Sequence, residues 1–131
     1  MSMILTLAVD IIDASEHFYR NIIQLPVERF VAATNSSPAL IIAQGDSTVI
    51  LRPATTLQAQ HPAAFQHFDR HCRGVGISID FQVDDLNLCL RCLNNNNIDI
   101  IYELEDKEHG IRELWFYDPD NYLIILTQID T

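Results

Sequence analysis

Four short runs rich in apolar residues, with turn residues or a helical pattern between them, follow one another along the first half of the chain. These runs span residues 4–9, 27–33, 39–43 and 48–51. Alternation with a period of two is typical of strands that bury one face. After the first run, Phe18, Tyr19 and Ile22 follow helical spacing, and Pro26 predicts the end of that helix. The first half is therefore predicted to fold as a strand, a helix and three strands.

Local signals place the boundaries of these elements. Asp13, followed three residues later by Glu16, predicts a capped start for the helix. Turn-forming residues at 35–38 and 44–46 separate the last three strands of this half. Each boundary is thus predicted from side-chain chemistry that is independent of the hydrophobic pattern.

The second half repeats the same order of elements. Its strand-like runs span residues 77–83, 98–104, 111–117 and 122–128. A helix is predicted from Asp84 to about Leu93, and the asparagines at 94–97 predict a turn because Asn tolerates the left-handed conformation. Residues 118–121, Asp-Pro-Asp-Asn, predict a sharp turn between the last two strands.

The two halves are related by a constant offset. Val9 and Val83 end the first strand of each half and are 74 positions apart, as are Leu51 and Ile125 in the last strands. We therefore predict a single α+β domain, residues 1–131, made of two tandem β-α-β-β-β modules that form a curved, cup-like mixed sheet with helices on its outer face. Module one spans residues 1–52, a linker spans 53–73, and module two spans 74–131.

The two faces of the predicted strands differ in chemistry. One face is uniformly apolar and should pack on the helices; it carries Leu5, Leu7, Val9, Ile77, Ile79, Phe81, Val83, Leu114, Phe116, Ile124 and Leu126. The other face mixes aromatic, aliphatic and polar groups, as small-molecule sites usually do. We predict that a ligand binds there to Thr6, Ser78, Asp80, Gln82, Glu113, Trp115 and Tyr117. The alternative is that Trp115 and Tyr117 only fill a closed barrel.

Net charge narrows the choice of partner. The formal charge is −10, from 18 acidic and 8 basic residues. Nucleic acid and anionic membrane surfaces both require a basic footprint, so neither is expected as a partner. The charge is compatible with a cationic small molecule, although solubility alone would also explain it. No apolar run approaches the length of a membrane-spanning helix and no signal peptide is recognisable, so a cytoplasmic location is expected.

The cysteines do not predict a chemical site. Cys72, Cys89 and Cys92 are odd in number, which does not suit a disulfide framework. Cys89 and Cys92 lie within a leucine-patterned helix rather than at a helix start, where a thiolate would be stabilised. A structural zinc site would need a second pair at similar spacing, and the sequence has none. We interpret both as packing residues.

Several short motifs resemble those of the vicinal oxygen chelate superfamily, which includes glyoxalase I, bleomycin resistance proteins and extradiol dioxygenases. The resemblance covers essentially the whole chain. It is carried by residues 9–11 leading to Phe18-Tyr19, and by residues 73–76, 83–86, 110–113 and 118–123. In the last of these, Asn121 stands where the family commonly has Gly. The resemblance implies the doubled β-α-β-β-β fold and a homodimer whose cups are completed across the interface.

Metal enzymes of this superfamily place His, Gln or Glu on the first and last strand of each module. The resemblance transfers these positions to Ile4, Leu51, Ser78 and Ile125. Three aliphatic side chains and one hydroxyl cannot replace the hydration shell of a divalent ion. We therefore predict no metal at these positions, and no other cofactor.

The linker contains a second group of potential metal ligands. His67 and His71 are spaced to share one helical turn, with Asp69 and Cys72 nearby. No Glu lies between the histidines, however, as it does in metalloprotease motifs. A helical linker with a solvated face is the simpler interpretation.

Three functional hypotheses remain. The first is a metal-free protein, similar to bleomycin resistance proteins, that sequesters a cationic drug or metabolite. The second is a lyase, isomerase or dioxygenase-like enzyme that uses Glu113 or Asp80 as general base, or a non-standard metal site. The third is a regulatory module that binds a metabolite and signals through a dimer.

Overall fold

A computed structural model describes residues 2–31, 37–66 and 68–129, without the side chain of Asp69. The chain divides into two compact units, Met1–Cys72 and Arg73–Thr131. Each unit contains one four-stranded mixed sheet with helical segments. The predicted α+β fold class and the doubled β-α-β-β-β order are therefore confirmed.

In the first unit, the strand order across the sheet is first, last, third, second. The strands are β1 (Met3–Val9), β2 (Val27–Phe30), β3 (Ala39–Gln44) and β4 (Ser47–Pro53), in the order β1-β4-β3-β2. The outer pair β1 and β4 is parallel, and the other pairs are antiparallel. Between β1 and β2 the chain forms α1 (Ile12–Glu16), which continues as a π-helix (His17–Ile22).

The second unit has the same arrangement. Its strands are β5 (Ser78–Gln82), β6 (Tyr102–Asp106), β7 (Ile111–Tyr117) and β8 (Leu123–Ile129), in the order β5-β8-β7-β6. The β5–β8 pair is parallel and the remaining pairs are antiparallel. The helix α4 (Leu86–Asn95) connects β5 to the other strands, and Asp85 caps it by accepting a hydrogen bond from the Leu88 amide.

The predicted division of faces agrees with the observed burial. Leu7, Val9, Ile79 and Phe81 are buried, as are Leu114, Phe116, Ile124 and Leu126 on the central strands of the second sheet. Leu5 and Val83 are half-buried, and Ile77, which lies before β5, is exposed. The apolar period-two pattern thus identified the side of each sheet that is buried in its unit.

The predicted cap of the first helix is wrong. The helix begins at Ile12 after Ile11, without a capping hydrogen bond from a side chain. Asp13 lies in the first turn and accepts a hydrogen bond from Arg29 at 2.9 Å. Arg29 also donates to Glu16, so both acids tie α1 to β2. The two carboxylates that the local pattern assigned to helix capping therefore bind Arg29 of β2 instead.

Two predicted strands are shorter than expected. β2 ends at Phe30, and residues 32–36, which include two residues of the predicted 35–38 turn, lie outside the described part of the chain. The run at 98–104 enters the sheet only at Tyr102. Before it, the Ile98 amide donates to the Leu93 carbonyl and closes the end of α4. Ile98, which the apolar pattern assigned to a strand, therefore belongs to the end of the helix.

The segment predicted as a linker is largely helical and belongs to the first unit. It contains α2 (Ala54–Gln60), α3 (Pro62–Phe65) and a short 3-10 turn (Phe68–Arg70). Ala54 and Leu57 pack on Ala8 of β1, with Phe65 and Phe68 against the same cluster. The segment therefore has an apolar face that covers the end of β1.

Candidate functional site

The second unit gathers most of the predicted ligand-binding residues on one face of its sheet. In the strand register, Asp80 lies beside Ile125, Ile125 beside Trp115, and Trp115 beside Tyr102. The adjacent row runs from Gln82 through Thr127 and Glu113 to Leu104, and a third runs from Ser78 through Leu123 to Tyr117. Residues directly opposite each other share a face. We call this surface the acidic–aromatic face; its polar and aromatic members are Ser78, Asp80, Gln82, Tyr102, Glu113, Trp115, Tyr117 and Thr127.

Asp80 is held by a hydroxyl on the neighbouring strand. The Oγ1 atom of Thr127, which is buried, donates to Asp80 Oδ1 at 2.7 Å. Although Asp80 as a whole residue is exposed, desolvation of its carboxyl raises its pKa, and repulsion from Glu113 adds to this, while the Thr127 hydrogen bond opposes it. The carboxyl is therefore positioned on the face and protonates more readily than an ordinary aspartate.

Glu113 and the two aromatic residues form a connected group. The indole Nε1 of Trp115 donates to Glu113 Oε1 at 2.9 Å. The Tyr102 and Trp115 rings meet edge to face, with centroids 5.2 Å apart and an interplanar angle of 69°, a favourable geometry for aromatic pairs. The indole is therefore oriented from both sides, by a carboxylate and by a phenol ring.

The remaining predicted residues of this unit lie on the same face. Tyr117 is 51% exposed, and Ser78 and Gln82 are exposed on the edge strand β5. Thr6 lies in the other unit, on β1 beside Ile50. The structure thus brings Asp80, Glu113 and Trp115 into one chemical neighbourhood and adds Ser78, Gln82 and Tyr117 at its margin.

Two members of the face were missed by the sequence analysis. Thr127 lies in the run 122–128 that was predicted as a strand, but it was not among the predicted site residues. Tyr102 lies in a run that was predicted as a strand, but its partner was unknown. Register was the missing information, because only strand pairing shows that Thr127 lies between Gln82 and Glu113, and Tyr102 beside Trp115.

One of the four positions transferred from metal enzymes is wrong. Leu51 pairs with Leu7 and is fully buried on the helix-facing side of its sheet. Ile125, its supposed equivalent, pairs with Asp80 on the opposite side. The residue that pairs with Thr6, the counterpart of Asp80, is Ile50. The offset between the last strands is therefore 75 rather than 74, and a shift of one residue changes the face of a strand.

The corrected set of positions does not fit a metal ion any better. Ile4, Ile50 and Ile125 are aliphatic, and Ser78 offers one hydroxyl. Across the described residues, no three His, Cys, Asp or Glu side chains are close enough to share a metal ion. His67 lies outside the described residues, as does the side chain of Asp69, so the preference for a solvated helical linker over a metal site there stays a prediction.

The two cysteines of α4 are free thiols, and Cys89 is poorly reactive. Cys89 is buried, and this burial raises the pKa of its thiol to about 11, with smaller contributions from Cys92 and Asp85. A thiol with so high a pKa is a poor nucleophile at neutral pH. The packing role predicted for Cys89 agrees with its burial.

None of the helices in the described chain has the length and apolar character needed to cross a membrane.

Comparisons with known proteins identify the fold. No protein-family model matches the sequence, and no curated protein matches it either. Among solved structures, the chain is similar to a glyoxalase/bleomycin resistance protein from Streptomyces sp. CB03234, with a TM-score of 0.66 and 15% identity over 98% of this chain and 100% of that one. It is also similar to TnmS3, an antibiotic binding protein from the same source, with a TM-score of 0.66 and 14% identity over 99% and 96%.

A third similar structure is named as an enzyme. Lactoylglutathione lyase from Agrobacterium tumefaciens gives a TM-score of 0.65 at 17% identity, covering 98% of this chain and 92% of the other. At these identities the comparison establishes the fold, not the activity. Together with the two β-α-β-β-β units, these likenesses show that the chain has the fold of the vicinal oxygen chelate superfamily.

Proposed function

We propose that the protein binds a small molecule that carries a cationic group beside a planar ring, and that it does so on the acidic–aromatic face without a metal ion. The observation that carries this proposal is the connected group of Asp80, Glu113, Trp115 and Tyr102, which combines two carboxylates with two aromatic rings on one side of a sheet. Sequestration of a drug or metabolite is the function that such binding would serve.

The chemistry of the face suits such a ligand. A cation over an indole ring gains about 0.5–1 kcal/mol at an exposed site and about 2 kcal/mol when water is excluded. Glu113 holds the Trp115 indole in place, so that less side-chain freedom is lost when a ligand stacks on it. A net charge of −10 also favours the approach of a cation from a distance.

The structural neighbours support small-molecule binding in general terms. One of them is named as an antibiotic binding protein, which is consistent with a sequestering role. Others are named as a lyase and as the fosfomycin resistance protein FosX from Listeria monocytogenes. Similar folds therefore occur in binding proteins and in enzymes, so the choice between the two functions has to rest on the side chains of this chain. We further propose a cytoplasmic location and a homodimer.

The binding proposal can be tested by fluorescence, because Trp115 is the only tryptophan of the chain. Titration with the 1-methylquinolinium cation should change Trp115 emission in a saturable way, whereas neutral quinoline at pH 8 should bind at least tenfold more weakly. Glu113→Gln and Asp80→Asn should each weaken binding of the cation.

Glu103→Gln provides a matched control. Glu103 pairs with Leu114, so it lies on the opposite side of the same sheet from Trp115. The control removes the same charge and should leave the affinity within about twofold of the unaltered protein. If Glu103→Gln and Glu113→Gln lowered the affinity for the cation equally, net charge alone would explain the effect, and the proposal would be contradicted.

A second candidate function is favoured by the raised pKa of Asp80. A carboxyl with a raised pKa is a stronger base once ionised, so Asp80 can act as general base on a bound carbon acid. Deuterium incorporation into 2-oxoacids in D2O, followed by NMR, would reveal such proton abstraction. Incorporation that is lost in Asp80→Asn, while the quinolinium cation still binds, would favour an enzyme over a sequestering protein.

A further inference from the structure

The first unit carries a half-buried cation, Arg52, that has no acidic partner among the described residues. Arg52, on β4, makes no ion pair or hydrogen bond with any described residue. The other half-buried arginines of the described chain are both engaged: Arg73 donates to Asp120 at 3.1 Å and Arg112 donates to Asn87 at 2.8 Å. The surface arginines Arg20 and Arg29 are bound to acids as well. Among the described arginines, Arg52 is therefore the half-buried one for which no described residue serves as a partner.

The described residues that flank Arg52 in the sheet offer its guanidinium no side-chain acceptor. Arg52 pairs with Ala8 on β1. On the other side, the pairing of Leu40 with Leu51 places Ala39 beside Arg52. Neither alanine side chain accepts a hydrogen bond. Partial burial of a charged group without a partner costs free energy, so an external acceptor would be favoured at this position.

Among the described residues, no acid fills that role. The formal charge is −10, yet the acid nearest in register on this face, Glu28, lies in the adjacent row, where it pairs with Ile41. It makes no ion pair with Arg52 within the described residues. Because no described acid lies in the row of Arg52, its guanidinium is the group of this row that would attract an anion from solution.

An aromatic side chain in the same row indicates the class of anion. Phe30 pairs with Ala39, which separates it from Arg52, and Phe30 is 51% exposed. Two strand spacings place Phe30 and Arg52 about 10 Å apart at the backbone. A guanidinium fork binds a carboxylate through two parallel hydrogen bonds, while an exposed phenyl ring offers a contact for a second ring.

We infer that the row of Arg52, Ala39 and Phe30 is a binding site for a small aromatic carboxylate, with the carboxylate on Arg52 and the ring against Phe30. This site is opposite in charge preference to the acidic–aromatic face and does not rest on the function proposed for that face. The competing interpretation is that the aliphatic stem of Arg52 packs on the sheet while its head stays hydrated.

The two interpretations can be separated by NMR of the full chain labelled with 15N-arginine. Benzoate should shift the Arg52 Nε–Hε signal in a saturable way, while the signal of Arg91, an exposed residue of α4, should move only slightly. Acetate, which lacks the ring, should bind at least fivefold more weakly, and benzyl alcohol, which lacks the charge, should produce no saturable shift.

Variants complete the test. Phe30→Leu should weaken benzoate binding and leave acetate binding unchanged, and Arg52→Gln should abolish the saturable stabilisation that benzoate gives in thermal unfolding. Arg91→Gln is the control for loss of one positive charge and should keep the full response. Linear, parallel shifts of the Arg52 and Arg91 signals, or equal stabilisation of Arg52→Gln and the unaltered protein, would overturn the inference.

Discussion

The two sheets of this protein have the same order and direction of strands but differ on one side. In both, the first strand pairs in parallel with the last, and the remaining pairs are antiparallel. The helix-facing sides also agree, since Leu51 and Leu126 are both fully buried opposite Leu7 and Phe81. A packed interior tolerates little change in volume, which explains why this side is similar in both units.

The opposite sides have little in common. In the first unit, Thr6 lies beside Ile50 and Arg52 beside Ala8. In the second, Asp80 lies beside Ile125, and Trp115 beside Tyr102. The comparison teaches that a duplicated backbone keeps its helix-facing side for packing, while the other side of each copy can carry different chemistry.

The largest expected effect tests the corrected register. Leu51→Ala should reduce the free energy of unfolding by about 2–5 kcal/mol, because it removes a fully buried side chain from the helix-facing side. Ile50→Ala should cost clearly less, since Ile50 is only half-buried. Urea unfolding of both variants measures the difference. A greater loss in Ile50→Ala would restore the equivalence of Leu51 with Ile125.

A second contrast concerns the last hairpin turn of each unit. Asp118 is buried and its Oδ1 atom accepts hydrogen bonds from the Asp120 and Tyr122 amides, both at 2.9 Å. Asp118→Ala should therefore cost about 1.5–3 kcal/mol in urea unfolding. Asp118→Asn keeps one acceptor oxygen and should cost less. Asp46, in the corresponding turn of the first unit, is exposed, and Asp46→Ala should have little effect.

The same two turns differ in the residue that adopts a positive φ. The first unit uses Gly45 at 57° and the second uses Asn121 at 68°. Gly45→Ala should cost about 1–2 kcal/mol, because a Cβ atom is disfavoured in the left-handed region. Asn121→Gly relieves that restriction and should change stability by less than about 1 kcal/mol. Thermal unfolding of both variants tests whether the two turns rely equally on this conformation.

The smallest expected effect is a pH dependence confined to the second unit. Because the pKa of Asp80 is raised in the folded state, its carboxyl favours folding below its ordinary pKa of 3.8, and this contribution is lost as pH rises through the raised value. Asp80→Asn should therefore melt at a higher temperature than the unaltered protein at pH 7, and this gain should shrink towards pH 4. Thr6→Asn, at the corresponding position of β1, should show no such pH-dependent difference.

Strand positions were predictable because they depend on local alternation. The run at 111–117 was predicted with the bounds that β7 has, and Asn121 was recognised as a residue able to occupy a tight turn. The run at 98–104 was less accurate, because Ile98 closes α4 instead of entering the sheet. Local patterns therefore identified the elements. They did not show which residues between α4 and β6 end the helix and which begin the strand.

The candidate site was predictable only in part. Asp80, Glu113 and Trp115 were found because alternation assigns them to one side of two strands. Tyr102 and Thr127 required the pairing of β6 with β7 and of β5 with β8. The Leu51 error has the same origin: a repeat offset taken from one pair of strands was applied to another, although one residue separates the two faces.

The sequence by itself determined the order of elements, the doubled unit and the buried side of each sheet, because these follow from short-range periodicity and turn chemistry. Only the tertiary structure decided which residues meet across strands: the Asp80–Thr127 bond, the Tyr102–Trp115 contact and the position of Arg52 between two alanines. The physical reason is that strand register joins residues far apart in the chain, and a one-residue difference in register moves a side chain from the interior to the binding face.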